Sequence, residues 1–422
     1  MFKDDIKSIL IANKHKRILL YGPEGIGKTY LMNKLFEDIR GGFIIVDFGN
    51  DDITGMINAL KKGKDITDAL VTSFCLSEEL RSVTFVFDEF LELDHIENLT
   101  ELLTVQKANY KYPDIKIIYV TSNMAWCDGN LDRFDICVKA GKITFTEYLQ
   151  KSGESFYSQV VDAHMTKKKT MPSLIHNELT DMYYQYISTS GYPRPIEELT
   201  HENPIIFPDI YAAERYKTLI GSICTKEGNS TSAFNKIQII NAIPECAKNS
   251  KFVISKTGRR HISKEQLESD INDLIKEGII IRIPRLNGNT YSLALTDDGI
   301  YLYLLRKNRY KLGLSEEKIK ELVTENHLRN ILFEQGIKTY SWAGKYRFKI
   351  NVLIESKGKY YPVKVSCKKS VRNVSFDEFF SSCGSKSKLK IQFTENPFNE
   401  TKDTIYMPIY GCEYLKNVIP QQ

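Results

Sequence analysis

The sequence predicts an α/β fold in which a parallel β-sheet with flanking helices occupies the first third of the chain. Between residues 17 and 140, five short apolar runs alternate with stretches of helical spacing, the pattern of parallel strands joined by crossover helices. A glycine-rich loop, GPEGIGKT, lies directly between the first apolar run and the first helical stretch. The chain has 422 residues, more than one compact domain usually contains, so further domains are expected after the sheet.

The composition is that of a folded protein with reduced thiols. The 58 basic and 53 acidic residues leave a net charge of +5, too small an excess to predict nucleic-acid binding unless it is clustered. Eight cysteines without a CxxC pair indicate buried thiols rather than disulfides or a zinc site. The first 20 residues contain early charges and no long apolar run, so we expect a cytoplasmic protein without a membrane role.

The loop at residues 22–29 matches the complete pattern G-x4-G-K-[ST]. Glycines let backbone amides wrap around phosphates, Lys28 would meet the β- and γ-phosphate oxygens, and the Thr29 hydroxyl would ligate magnesium. A chance glycine-rich turn is the alternative, and the strand–loop–helix context disfavours it. The predicted cofactors are ATP and Mg²⁺, and the predicted nucleotide-binding residues in this loop are Gly22, Pro23, Glu24, Gly25, Ile26, Gly27, Lys28, Thr29 and Tyr30.

An acidic pair ends the third apolar run, VTFVFDE. Asp88 is predicted to hold the magnesium ion together with Thr29, commonly through water, and Glu89 to polarise the attacking water. The alternative is a pair of exposed acidic residues that caps the strand and has no catalytic role. The position of the run between the P-loop and a later strand with a polar end favours the catalytic interpretation.

That later strand, IKIIYVTSN, ends in Ser122 and Asn123. Lying between the two motifs, their side chains are predicted to sense the γ-phosphate, although an ordinary turn often has these residues. Arg133 follows shortly after. It is predicted to stabilise phosphate charge in its own or a neighbouring subunit, and a surface salt bridge is an equal alternative.

The remaining chain changes character. Residues 155–190 have helical spacing, three helices and a hairpin follow, and a helix with several strand runs ends the chain. We therefore predict a P-loop NTPase core at 1–143, a helical lid at 144–205, a winged-helix domain at 206–310 and a small α/β domain at 311–422.

GPEGIGKT, FVFDEF, VTSN and ITFTEYL together resemble the predicted AAA+-like ATPases related to the archaeal ATPase and STAND groups. The resemblance implies a P-loop core, a lid, a winged helix and a nuclease-like C-terminal domain. That family usually has Gly-Arg where this chain has Asp132-Arg133. SGYP resembles the family's GGYP lid turn, which implies that Gly191 and Pro193 lie near the nucleotide; a plain helix terminator is the alternative.

The segment RFKINVLIESKGKYYPVKVSC is similar to the metal-binding core of PD-(D/E)XK nucleases in that family. Asn351 stands at the metal-binding aspartate, and Lys364 and Ser366 stand at the glutamate and lysine of the E-x-K element, while Glu325 keeps the expected acid. A neutral amide and a lysine cannot replace carboxylate ligands. The resemblance therefore implies a nuclease-like fold without nuclease activity.

Two basic groups are candidate DNA contacts. A lysine-rich solvated surface and a winged helix that docks proteins are the alternatives. One group lies in the C-terminal domain and the other around the winged helix: Lys357, Lys359, Lys364, Lys368, Lys369, Arg372, Lys386, Lys388 and Lys390; and Arg259, Arg260, His261, Arg282 and Arg285.

These features predict an ATP-hydrolysing conformational switch, coupled to DNA or protein binding by its later domains. A homo-oligomer is a further candidate, because Arg133 acting on a neighbour requires one. The alternative is a DNA-binding regulator or scaffold that holds ATP with little hydrolysis. An active nuclease is disfavoured.

Overall fold

A computed structural model shows two units, residues 1–142 and 143–422. The structure describes residues 17–38, 42–47, 53–76, 83–91, 103–104, 112, 114–127, 129–200, 208–228, 230–246, 252, 263–344, 348–367, 374–383 and 389–419.

Five strands form the sheet of the first unit, and every pair that is hydrogen-bonded is parallel. The order across the sheet is β2-β3-β4-β1-β5. The predicted α/β fold with a parallel sheet is confirmed. The strands are β1 (Arg17–Tyr21), β2 (Gly42–Asp47), β3 (Val83–Asp88), β4 (Lys116–Thr121) and β5 (Ile136–Lys139).

Both faces of this sheet are buried, which explains why its strands are continuous apolar runs rather than alternating ones. Leu19 and Phe85 point to one face and Leu20 and Val86 to the other, and each is at most 1% exposed. The helices among the described residues of this unit are α1 (Lys28–Asp38), α2 (Thr54–Lys61), α3 (Ile66–Ser73) and α4 (Met124–Cys127), and a 3-10 turn spans Leu131–Arg133.

The register brings the polar strand ends to one edge. Tyr21 pairs with Thr121, and Asp47 pairs with Asp88. In a parallel sheet all carboxyl ends lie at the same edge. Ligands bind there at the point where the strand order reverses. The loop after β1 therefore lies beside the ends of β4 and β3, with β4 between the two motif strands.

The second unit begins with seven helices of the described chain, followed by an antiparallel hairpin and two further helices. The winged helix predicted for residues 206–310 stays a prediction. The elements are α5 (Phe145–Lys151), α6 (Ser155–Thr166), α7 (Ser173–Thr189), α8 (Pro193–Thr200), α9 (Pro208–Glu227), α10 (Thr231–Cys246), α11 (Lys264–Lys276), β6 (Ile280–Pro284), β7 (Tyr291–Leu295), α12 (Asp298–Lys307) and α13 (Arg309–Leu312).

A six-stranded mixed sheet ends this unit, in the order β12-β13-β11-β10-β9-β8. Strands β8, β9 and β10 are antiparallel, whereas β10, β11 and β13 are parallel. The elements are α14 (Glu316–Glu334), β8 (Thr339–Ala343), β9 (Lys349–Ser356), β10 (Lys359–Ser366), α15 (Val374–Cys383), β11 (Lys390–Thr394), β12 (Asn399–Glu400), β13 (Thr404–Pro408), a 3-10 turn (Ile409–Tyr414) and α16 (Leu415–Val418).

The predicted lid, winged-helix and C-terminal segments share one hydrophobic core. Phe145, Leu179, Ile239, Leu304 and Phe393 belong to the same buried cluster, although they come from all three segments. The boundaries at 144–205, 206–310 and 311–422 stay predictions, and the packing joins these segments into one unit.

A buried carboxylate holds the three segments together. Asp298, at the start of α12, is fully buried. Its carboxylate accepts hydrogen bonds from the side-chain amides of Asn326 (2.7 Å) and Asn330 (2.9 Å), and His327 Nδ1 lies 2.8 Å away. Its backbone N–H donates to the Ser190 hydroxyl at the end of the lid helix α7.

No described helix is long and apolar enough to cross a membrane. All eight cysteines are free thiols. The predicted cytoplasmic location stays a prediction.

We expect Asp298→Asn to destabilise the second unit by about 2–4 kcal/mol, because the asparagine oxygen can still accept from Asn326 and Asn330, but the negative charge and the acceptor oxygen beside His327 Nδ1 are lost. The chain has two tryptophans, so in a Trp126→Phe background the buried Trp342 reports urea unfolding of this unit. Asp181→Asn, at an exposed position of α7, is the matched control. Equal unfolding midpoints for both variants would contradict the role of this carboxylate.

Candidate nucleotide-binding site

The loop after β1 is shaped by three glycines. Gly22 N–H donates to the carbonyl of Thr121, which ties the loop to β4. A Cβ atom at Gly22 would lie 2.8 Å from both the Cβ and the carbonyl oxygen of Ala140, so only glycine fits beside the end of β5. Gly25 and Gly27 have φ angles of +76° and +89°, which favour glycine.

Lys28, the first residue of α1, points back into this loop. Its ammonium donates to the carbonyls of Gly22 (3.0 Å) and Pro23 (3.2 Å) and lies 3.5 Å from Glu89 Oε1. The residue is only 5% exposed. A buried ammonium needs such partners, and phosphate oxygens entering the loop would offer stronger ones.

The other loop residues differ in their exposure to solvent. Ile26 is buried and holds the loop to the protein, whereas Glu24, Gly25, Thr29 and Tyr30 are exposed. The exposed residues border the open side of the loop, where a nucleotide would approach.

Thr29 and Asp88 meet, although they lie 59 residues apart in the chain. The Thr29 hydroxyl donates to Asp88 Oδ2 over 2.9 Å. Asp88 Oδ1 is buried and has no hydrogen-bond partner among the described residues. An orphaned carboxylate oxygen beside a threonine hydroxyl, at the start of a helix, fits Mg²⁺ accompanied by phosphates.

Burial raises the pKa of Asp88 above its ordinary value, and the charge of Glu89 adds to this effect. The hydrogen bond from Thr29 and the charge of Lys28 act in the opposite direction. A cation at Oδ1 would favour the ionised carboxylate, so metal binding and proton release are coupled at this residue.

Glu89 is held in an unusual backbone conformation with φ of +46°. Its Oε2 accepts hydrogen bonds from the backbone N–H (2.8 Å) and the hydroxyl (3.0 Å) of Ser122. Left-handed backbone in a residue other than glycine costs about 1–3 kcal/mol and is frequent at functional sites. Sequence reasoning placed Ser122 on the γ-phosphate, and no sequence signal indicated this contact with Glu89.

Asn123 caps the short helix α4. Its Oδ1 accepts the backbone N–H of Trp126 over 3.0 Å, which is the ordinary-turn alternative considered from the sequence. A γ-phosphate contact by Asn123 stays a prediction.

Arg133 lies at the opposite edge of the sheet from the P-loop. It precedes β5, whose first residue, Ile136, pairs with Ile18 near the start of β1. At about 3.3 Å per residue, the strand length between them separates Arg133 from the loop by roughly 10 Å or more. Its guanidinium donates to the Thr104 hydroxyl instead. This placement argues against the own-subunit role, and action on a neighbouring subunit stays a prediction.

Gly191 and Pro193 belong to the second unit. Ser190 (φ +59°) and Gly191 (φ +70°) end α7 in the left-handed conformation, and Pro193 begins α8. This is the geometry of a helix terminator. Their predicted nearness to the nucleotide stays a prediction.

The positions similar to a nuclease centre do not fit a divalent cation. Glu325 Oε2 accepts the side-chain amide of Asn351 (2.8 Å), and Glu325 Oε1 pairs with Arg329 (2.9 Å). Burial lowers the pKa of the nearby Lys349, and the charge of Glu325 opposes that shift. The charge of this carboxylate is therefore already compensated by protein groups.

A second carboxylate, Glu321, lies one helical turn earlier. It pairs with Lys318 (2.8 Å) and accepts a long hydrogen bond from Ser366 (3.4 Å). Burial lowers the pKa of Lys364, and the charge of Glu321 opposes this. At the position that the sequence resemblance assigns to a metal-binding carboxylate, Lys364 provides no anionic oxygen for a divalent cation.

In the predicted winged-helix region, the two described candidate arginines are engaged by other protein groups. Arg282 pairs with Glu268 (2.8 Å) and stacks on Tyr291 (4.5 Å). Arg285 donates to the Ala343 carbonyl (3.3 Å), so the end of the β6–β7 hairpin lies against strand β8. Residues 264–277, which include helix α11, contain five acidic and two basic side chains, and this excess of acidic residues disfavours contacts with phosphates.

Several predicted DNA contacts lie outside the described residues. These are Arg259, Arg260, His261, Lys368, Lys369, Arg372, Lys386 and Lys388. Among the described ones, Lys357 and Lys359 are exposed, and Lys390 pairs with Asp377.

Several solved structures resemble the chain at low identity. A Walker-type ATPase of Pyrococcus abyssi is 15% identical, with 72% of this chain and 96% of that chain covered and a TM-score of 0.45. RuvB of Thermotoga maritima is 15% identical (74% and 94% covered, TM-score 0.34). A STAND protein with a tetratricopeptide repeat sensor from Pyrococcus horikoshii is 16% identical (79% and 45% covered, TM-score 0.30).

No model of a protein family matches the chain, and no curated protein matches it. The structural resemblances do not by themselves assign an activity.

The raised pKa of Asp88 predicts a pH dependence of metal binding. Because Mg²⁺ needs the ionised carboxylate, its half-saturating concentration in the presence of ATP should fall as pH rises through that pKa and be constant above it. ATP itself also titrates, so Asp88→Asn is the reference protein. It should need more Mg²⁺ for half-saturation, and the pH dependence that comes from Asp88 should be missing from its curve. Parallel curves for both proteins would contradict the assignment of Asp88.

Proposed function

We propose that the chain is a Mg²⁺-dependent ATPase whose catalytic nucleotide site lies at the carboxyl edge of the five-stranded sheet. The observation that carries the proposal is the meeting of Thr29 and Asp88, with one Asp88 oxygen buried and unpaired, at the mouth of the glycine-rich loop.

The loop amides and Lys28 would bind the phosphates, and Thr29 and Asp88 would hold the metal. When bound, Mg²⁺ neutralises charge on the β- and γ-phosphate oxygens. The helix α1 begins directly at Lys28, so its unpaired N–H groups and the positive end of its dipole favour a bound polyphosphate.

Glu89 is the proposed general base. When phosphate oxygens attract the Lys28 ammonium, Oε1 of Glu89 loses that partner and is able to accept a proton from the attacking water. Oε2 stays held by Ser122, which fixes the direction of the carboxylate. In this proposal Ser122 is a positioning residue that acts through Glu89.

The nucleotide state of the first unit is proposed to be communicated to the second. Because the lid, winged-helix and C-terminal segments share one core, the second unit would respond as one body. Its acidic helix α11 and the β6–β7 hairpin, whose end lies against β8, favour a protein partner over DNA at the predicted winged helix. The compensated carboxylates Glu321 and Glu325 support the expectation of no nuclease activity.

One observation favours a second candidate, a scaffold that binds ATP with little hydrolysis. Glu89 is engaged by both Lys28 and Ser122, and it would remain unable to act if nucleotide did not release it. The rate of phosphate release separates the two functions.

Glu89→Gln is expected to lower ATP hydrolysis by roughly 10²–10⁴-fold with ATP affinity nearly unchanged, because the amide still accepts from Ser122 but is not a base. Phosphate release and equilibrium ATP binding are measured on the same samples. Asp114→Asn, at an exposed position of the same unit, should keep the wild-type rate. A wild-type rate as low as that of Glu89→Gln would favour the scaffold.

Ser122→Ala is expected to lower kcat about fivefold with little change in KM, because one orienting hydrogen bond of about 1 kcal/mol is lost while the backbone donor remains. Thr72→Ala, an exposed hydroxyl on α3, is the matched control. A Ser122→Ala enzyme with the wild-type kcat, or with a changed KM alone, would show that Ser122 does not act through Glu89.

A further inference from the structure

A cavity of about 480 Å³ opens at one end of the six-stranded sheet in the second unit. It is bounded by the start of β8, by the turn between β9 and β10, and by the short helix α16. This volume is in the range of small-molecule sites. The cavity lies within the second unit and has no part in the proposed ATPase site.

The rim of this cavity is positively charged. Lys338, Lys357 and Lys416 line it, and Glu355 is its one acidic lining residue. The Glu355 carboxylate already accepts the Tyr340 hydroxyl over 2.9 Å. The lining residues therefore include more basic than acidic side chains.

Two of these lysines lack the carboxylate partner that several other cations of the unit have. Lys236, Lys311, Lys318 and Lys390 are ion-paired. By contrast, neither Lys338 nor Lys357 forms an ion pair with a carboxylate anywhere in the described part of the chain. Their charges are therefore available to an anion.

The turn that carries Lys357 has a left-handed backbone, which asparagine and glycine adopt more readily than lysine. Lys357 and Gly358 have φ angles of +52° and +65°, and Ser356 and Lys359 pair on either side. Such two-residue turns favour Asn-Gly. A lysine here is conformationally unfavourable, yet it places an ammonium at the cavity.

The floor of the cavity is apolar. Ile337, Ile354 and Ile419 contribute to the lining, and Ile354 and Ile419 are almost fully buried. A ligand that satisfies both floor and rim would combine an anionic group with an apolar or aromatic body.

We propose that this cavity binds a small phosphorylated organic molecule, with its phosphate between Lys338 and Lys357 and its body over the isoleucine floor. The proposal is independent of ATP hydrolysis at the first unit. The shared recognition chemistry is a phosphate group, which either a nucleotide or an inorganic phosphate supplies.

The test uses the full chain carrying Lys28→Ala, which removes the main phosphate contact of the P-loop. Calorimetric titrations with inorganic pyrophosphate and with AMP are compared at low salt. We expect saturable binding of at least one of them, weakened tenfold or more by Lys338→Ala combined with Lys357→Asn. Asparagine suits the left-handed turn, so the variant should fold.

The matched control is Lys402→Ala, an exposed lysine between β12 and β13, which should leave binding unchanged. Tighter binding of AMP supports an organic phosphate, whereas binding of pyrophosphate alone would overturn the organic part of the proposal. Absence of binding in the Lys28→Ala protein, or equal weakening by Lys402→Ala, would overturn the site itself.

Discussion

The hydrogen bond between Thr29 and Asp88 is the contact on which the proposed site depends. It joins the first turn of α1 to the end of β3, and it exists because parallel strands deliver their carboxyl ends to one edge. Gly22 allows the loop to pass against Ala140, which fixes where α1 begins. In the proposed site the hydroxyl and the carboxylate share one cation, and the second Asp88 oxygen is buried without a hydrogen-bond partner among the described residues.

Charge balance then determines how this edge would respond to nucleotide. Lys28 is buried and is satisfied by two loop carbonyls and by Glu89. Glu89 is in turn satisfied by Lys28 and Ser122. Removing a buried charge from its partner is costly unless another partner replaces it. In the proposed mechanism a triphosphate is such a replacement for Lys28, and the same exchange would free one oxygen of Glu89. Nucleotide binding would then also activate the proposed base.

The sequence predicted the parts of this site that follow from local pattern. The parallel sheet, the loop and the strand-end acids were all readable, because apolar periodicity and glycine spacing encode them directly. The left-handed backbone of Glu89 could not be predicted, because the segment VFDEF contains no glycine or asparagine. The position of Arg133 depended on the register of β5, which sequence distance does not reveal. The large core shared by three segments of the second unit likewise arises from long-range packing.

Manganese electron paramagnetic resonance would detect the proposed shared cation, because Mn²⁺ replaces Mg²⁺ and its spectrum distinguishes bound from free ions. We expect the wild-type chain to bind one tightly held Mn²⁺ only when ATP is present, and ¹⁷O-labelled phosphate to broaden its signal. Thr29→Val, which keeps the side-chain shape but removes the hydroxyl, should abolish that tight population. Tight Mn²⁺ binding without nucleotide, or binding unchanged in Thr29→Val, would contradict a cation shared by Thr29 and Asp88.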